Sequence, residues 1–313
     1  MYEMRRILVP TDFSRHAEDA FRYAVSLGER YEAEVTLIHV DEFPVSPFGA
    51  LGPRGEILGA YQREKERFIR SQFLLLRKMV KDAPIRLKTH LAMGRAYKVI
   101  VEESEQRKCD VLVIATRGLT SLSSHLIGST AERVVRLSRQ PVLSIQSVPS
   151  DARRIKSILC PTDLSPAGNV ALTYALSIAR RQKATLFVQY VSILENPEDE
   201  VEIRKRLPAL RDYHPSADEV NVQYVFDRDV DPGNSILRFA EDRDVDLIVM
   251  SAHGRRGLRR VHIGNITVDV VHQSHCPVLT VTHPFHKQVF TKPVTEQLRT
   301  RLVTQQEPRR KRA

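Results

Sequence analysis

The chain has no tryptophan, and aromatic residues make up only 6% of its 313 positions. Proteins that stack bases of single-stranded nucleic acid need such rings, so the composition argues against that class of function. Cysteine is scarce: Cys109, Cys160 and Cys276 form neither a CxxC pair nor a disulfide framework, and a reducing cytoplasm is the expected setting. No apolar run reaches the length of a membrane span. The opening Met1-Tyr2-Glu3-Met4-Arg5-Arg6 lacks the apolar stretch of a secretory signal. A Gly-x4-Gly-Lys-Ser/Thr loop, a Gly-x-Ser-x-Gly elbow and a metal-ligand cluster are also missing, and no nucleophile stands at a telling distance from a base. A non-enzymatic role is therefore expected. What remains is ordinary: 42% hydrophobic and 27% charged residues, in a chain long enough for two domains.

The net charge of +10 is unevenly placed. From His286 onward there are Lys287, Lys292, Arg299, Arg301, Arg309, Arg310, Lys311 and Arg312, opposed only by Glu296 and Glu307. The basicity thus belongs largely to a tail, residues 285–313, which reads as disordered with a basic end. A solubilising tail is the default reading, and contact with nucleic acid or an anionic surface is the alternative.

A repeat organises the rest. Arg6-Ile-Leu-Val-Pro-Thr-Asp-Phe-Ser14 returns as Ser157-Ile-Leu-Cys-Pro-Thr-Asp-Leu-Ser165, and Pro10 matches Pro161 at an offset of 151. Asp110-Val-Leu-Val-Ile-Ala115 returns as Asp246-Leu-Ile-Val-Met-Ser251, and Gln140-Pro-Val-Leu-Ser-Ile145 as Cys276-Pro-Val-Leu-Thr-Val281, both at an offset of 136. The second copy is therefore shorter in its middle. So long a period signals two homologous domains. They are placed at residues 1–147 and 152–284, with Pro149-Ser150-Asp151 as linker.

Each copy alternates strands and helices. In copy one the strands are expected at 7–10, 35–40, 85–93, 111–115 and 142–145, and most are apolar throughout, as strands covered on both faces require. Ser14 is expected to cap a helix that buries Ala17, Ala20, Phe21, Ala24 and Val25. Ser165 plays the same part in copy two, with Pro166 at the first helical position. A long helix near 57–80 carries Phe68, Phe73, Leu76 and Val80 at helical spacing; its counterpart at 201–213 is shorter. The pattern implies an α/β protein of two tandem, doubly wound, Rossmann-like parallel sheets of five strands each.

In such sheets ligands bind beyond the carboxyl ends of the strands. Two segments of each copy reach that edge. One is Pro10-Thr11-Asp12, repeated as Pro161-Thr162-Asp163. The other follows strand four: Ala115-Thr-Arg-Gly118, nine residues, then Gly128-Ser129-Thr130 opening a helix. In copy two it reads Ser251-Ala-His-Gly254, nine residues, then Gly264-Asn265. Glycine admits close approach of the main chain, and a helix N-terminus offers free N–H groups. Ser129 and Thr130 add hydroxyls. The combination suits a phosphate chain, with Asp12 at the sugar or base end.

The Pro-Thr-Asp opening, the Gly-x2-Gly-x9-Gly-Ser/Thr pattern and the final Gln/Cys-Pro-Val-Leu strand resemble the universal stress protein family, in both copies. The resemblance implies an adenine nucleotide alpha hydrolase-like fold and a stress-response regulatory protein. It would bind ATP or another adenine nucleotide, with or without Mg2+, and lack efficient turnover. It implies that Asp12 contacts adenine, with Val40 as a looser match, and that Ala115, Gly118, Gly128, Ser129 and Thr130 hold ribose and phosphates. In copy two the positions are Asp163, Ser251, Gly254, Gly264 and Asn265. It also implies an intramolecular pseudo-dimer through the fifth strands, and a further homodimer is compatible with it. The first glycine of the pattern is Ala115 or Ser251 here, and Asn265 stands for Ser/Thr. Copy two is thus the weaker site, and restoring glycine at Ala115 is expected to raise affinity.

Blander readings stand beside these. Asp12 and Asp163 would also serve simply as turn residues. His253, Arg255, Arg256, Arg259 and Arg260 read as a solvated basic loop, with anion binding as the alternative. His262-Ile-Gly-Asn265 has the look of a tRNA synthetase signature but lies after a fourth strand, not a first, and is rejected. The cysteines read as inert buried thiols rather than redox sensors. A nucleotide-free interaction scaffold is the alternative function; slow hydrolysis or phosphotransfer is a third.

Overall fold

The structure is a computed structural model that describes residues 2–42, 54–118, 128–146, 154–193, 197–209, 219–252 and 265–282. The linker, the basic tail, the loop from His253 to Arg260, His262, Gly254 and Gly264 lie outside the described residues.

The first half runs β1 (Arg6–Pro10), α1 (Arg15–Tyr31), β2 (Glu34–Asp41), α2 (Arg54–Met79), β3 (Arg86–Met93), α3 (Ala96–Gln106), β4 (Val111–Ala115), α4 (Ser129–Leu137) and β5 (Val142–Ile145). The second half repeats it as β6 (Ser157–Pro161), α5 (Pro166–Gln182), β7 (Thr185–Ser192), α6 (Pro197–Ala209), β8 (Val222–Arg228), α7 (Pro232–Asp242), β9 (Leu247–Ser251), α8 (Asn265–Gln273) and β10 (Val278–Val281). Each half has the strand order 3-2-1-4-5, all parallel. The two fifth strands pair antiparallel, Leu143 opposite Leu279, so the halves form one ten-stranded sheet in the order β3-β2-β1-β4-β5-β10-β9-β6-β7-β8. The end of each parallel half that would stay unpaired is covered by the other half, and among the described residues β3 and β8 are the edges. β3 carries Arg86, Lys88 and His90, and Lys88 is paired to Glu34 at 2.8 Å.

The inner strands are buried on both faces, hence their unbroken apolar runs. On one face α1, α2, α5 and α6 share a core that crosses from one half to the other. On the opposite face α3 with α4, and α7 with α8, cover separate clusters. The α1 stripe of Ala17, Ala20, Phe21, Ala24 and Val25 is buried as the sequence predicts. The α2 stripe needs correction: Phe68 is 57% exposed, and Ile69 turns inward with Phe73 and Leu76 instead. A helix of 3.6 residues per turn places Ile69, Phe73 and Leu76 on one face, whereas Phe68 joins Leu75 and Met79 on the solvent side.

The motifs shared by the two halves are largely structural staples. One carboxylate oxygen of Asp110 accepts from the main-chain N–H groups of Arg5 and Arg6, both at 2.8 Å. Asp246 does the same for Lys156 and Ser157 at 2.8 and 2.9 Å. The aspartates before β4 and β9 thus tie those strands to β1 and β6. Across the halves, Tyr2 packs on Tyr174 with centroids 4.4 Å apart, and its main-chain N–H donates to Ser177 Oγ at 2.7 Å.

Candidate functional site

Strand β1 ends at Pro10 and the chain turns sharply into α1. Thr11 Oγ1 accepts from the N–H of Phe13 at 3.0 Å, and Asp12 Oδ1 accepts from the N–H of Ser14 at 3.0 Å. Ser14 Oγ in turn caps α1 through Ala17 N–H at 3.2 Å. These bonds hold Phe13 at φ 63°, a left-handed conformation that a non-glycine residue adopts only when its surroundings hold it there. The second half builds the same turn with Thr162, Asp163 and Ser165, and Leu164 sits at φ 60°. The turn-forming role of both aspartates is therefore real. It uses Oδ1 of Asp12, and Oδ2 faces the other way, toward Gly118: a methyl group placed on Gly118 would lie 2.5 Å from it.

His39 holds the turn from behind. Its Nδ1–H donates to Thr11 O at 2.8 Å, and its ring stacks on Phe13 with centroids 4.5 Å apart. Burial lowers its pKa from the ordinary histidine value, with the Thr11 carbonyl acting in the opposite sense. Next along β2, Asp41 pairs with Lys65 of α2.

A cavity of about 260 Å³ opens at this edge. Every residue that the sequence assigns to the first site lines it: Pro10, Thr11, Asp12, Val40, Ala115, Gly118, Gly128, Ser129 and Thr130. The sequence motifs miss its apolar wall, made by Ile38, Ala96, Ile100 and Ile114, and its polar rim of Glu42 and Arg117. Ala96 and Ile100 are one helical turn apart at the start of α3, a spacing visible in the sequence but without meaning until α3 packs over β2. Glu42 accepts the N–H of Ala96 at 2.7 Å and so supplies α3 with the N-terminal cap that Arg95 does not. Helix α4 begins differently. Gly128 is its N-cap and, having no side chain, makes no capping bond to the first turn. Gly128 itself donates to Thr116 O at 2.7 Å.

Ala115 is not a steric obstacle. It ends β4, is absent from the residues with positive φ, and packs in the core on the α1 side while also lining the cavity. The expected gain from glycine there loses its reason. Ser251 likewise ends β9 without positive φ, and its carbonyl accepts from Thr267 Oγ1 at 3.0 Å. Asp163 sits in its turn, and Asn265 starts α8.

The second half differs in its wall. Pro10 pairs with Ile38, and Pro161 pairs in the same register with Gln189. Where the first half has Ile38, the second thus has a fully buried amide, whose Nε2 donates to Ser235 Oγ at 3.2 Å. The Ser235 hydroxyl donates to Asp227. A flat apolar surface has become a polar network.

Among the described residues no group of three or more His, Cys, Asp or Glu side chains is placed to hold a metal, and no helix is long and apolar enough to cross a membrane. Burial raises all three thiols: Cys109 and Cys160 to about 12, Cys276 to about 11.

Comparison with known proteins agrees with this architecture. A universal stress protein of Mycolicibacterium smegmatis is 24% identical over 294 residues, covering 88% of this chain and 96% of its own. A universal stress protein of Methanocaldococcus jannaschii is 31% identical over 144 residues, 45% of this chain and 82% of its own. The solved structure of a universal stress protein from Archaeoglobus fulgidus superposes with a TM-score of 0.72 at 17% identity, covering 91% of this chain and 99% of that one. The model of the universal stress protein family matches twice, at residues 3–146 and 154–282, and the chain therefore belongs to that family as a tandem member.

Proposed function

We propose that the first half binds ATP or another adenine nucleotide as a regulatory ligand, without efficient turnover, in a stress-response role in the cytoplasm. The observation that carries this reading is one cavity with three complementary parts. Ile38, Val40, Ala96, Ile100 and Ile114 form an apolar slot suited to a flat base. Asp12 Oδ2 is the acceptor an exocyclic amine needs at its end. The start of α4, with Gly118 and Gly128 as bare main chain, suits phosphate oxygens. At about 260 Å³ the hollow is the size for a nucleoside, with phosphates over the rim. A Mg2+ ion would be held by those phosphates rather than by a protein cage. The β5–β10 junction works in this reading as the interface of an intramolecular dimer, and nucleotide occupancy adjusts a partner's access to it.

The polar network of Gln189, Ser235 and Asp227 supports a second reading for the other half alone: it is an interaction scaffold that takes no adenine nucleotide. The test is to denature the purified protein and assay released nucleotide, then titrate ATP calorimetrically into wild type and Asp12→Ala, with ADP formation followed over hours. One ATP per chain, weakened about tenfold or more by Asp12→Ala and not consumed, is the expected result. Absence of binding, or equal affinity in the variant, overturns the reading.

A further inference from the structure

Helix α4 has nine residues, a length of about 13 Å, too short to hold its own position in water. Its start lines the cavity through Ser129 and Thr130. Its other end is held by the opposite half. Val134 O is taken by the N–H of Ser138 at 2.8 Å, and the two carbonyls that follow the helix, Ser138 O and Arg139 O, share the single proton of the Thr282 hydroxyl at 3.1 and 3.3 Å. Thr282 is the residue after β10, the strand that pairs with β5. The flank of α4 is held from the same side. Ala252, 1% exposed, lies in one cluster with Ala131, Val134 and Val135, with Val268 packed against it.

The arrangement is reciprocal. Gln146, the residue after β5, donates through Nε2 to Val271 O at 2.8 Å and to His272 O, at the end of α8. There too the preceding carbonyl, Val270 O, is satisfied locally, by Ser274 N–H at 2.9 Å. Each half therefore follows its last strand with a side chain that bonds main-chain carbonyls at the end of the other half's last helix (α8) or just beyond it (α4).

We propose that Thr282 is a positioning residue for the nucleotide site of the first half, and that Gln146 fixes α8 of the second half in the same way. This rests on the reading of the first half as a nucleotide site. The N–H groups at the start of α4 can meet phosphate oxygens only if the helix is fixed along its axis. At the carbonyl end that constraint comes from a side chain 144 positions away. The first site is thus incomplete without the second half.

The experiment titrates ATP into the full chain as wild type, Thr282→Val and Thr282→Ser, and follows amide hydrogen exchange over α4 without nucleotide. Thr282→Val keeps the shape and removes the donor, so ATP should bind about fivefold more weakly, the fold-change of one net hydrogen bond, and α4 should exchange faster. Thr282→Ser should restore both. Unchanged affinity and exchange in Thr282→Val, or a serine variant that behaves like the valine one, overturns the proposal. A wild-type chain that takes no nucleotide overturns the ligand reading instead, and the exchange rates then decide whether Thr282 fixes α4.

Discussion

Gly118 and Asp12 meet so closely that a methyl group on the glycine would stand 2.5 Å from Asp12 Oδ2. The glycine is required by the carboxylate rather than by its own backbone angle, since Gly118 is not among the residues with positive φ. Gly118→Ala should therefore push the end of the Asp12 side chain aside, at a cost of up to about 1 kcal/mol. In an Asp12→Ala background the same change should cost close to nothing. Denaturant melts of the four proteins in this double-mutant cycle check the coupling.

Ala115 provides a contrast. Its side chain lies in the core on the α1 face and its backbone is ordinary strand. Ala115→Gly should leave ATP affinity within about twofold and lower stability by about 0.5–1 kcal/mol through added chain entropy. Calorimetric titration and a melt of the same preparation separate the two effects.

His39 makes the Asp12 turn sensitive to acid. Burial lowers its pKa in the folded protein, so the unfolded chain binds the proton more readily. Stability from this residue is complete above about pH 6.5, the ordinary histidine value, and is lost as pH falls toward the lowered folded value. Wild type should lose stability below about pH 6.5 more steeply than His39→Asn, which keeps a donor for Thr11 O but has no proton to gain. Parallel slopes of stability against pH would show that the ring does not titrate in this way.

The cysteines should be silent. All three are buried and their thiols are held well above the ordinary value by desolvation. A thiolate reagent at pH 8 should label none of Cys109, Cys160 and Cys276 in the native protein within minutes, and all of them in denaturant. Fast labelling of one residue, located by mass spectrometry, would mark a local opening.

Much of this protein is set by its sequence. The strand–helix alternation, the Ser14 and Ser165 caps and the Pro10–Asp12 and glycine-motif residues of the first cavity follow from local patterns, because buried parallel strands, helix caps and close main-chain approach have strict residue requirements. Phe68 faces solvent against the expectation because helical spacing alone does not say which of two adjacent stripes faces inward. The apolar wall of Ile38, Ala96, Ile100 and Ile114, the shared Gly118–Asp12 contact, and the Gln146 and Thr282 bonds across the halves were decided only by the tertiary structure. They join residues far apart in the chain, and no local pattern fixes a distance between segments that meet only when the sheet has closed.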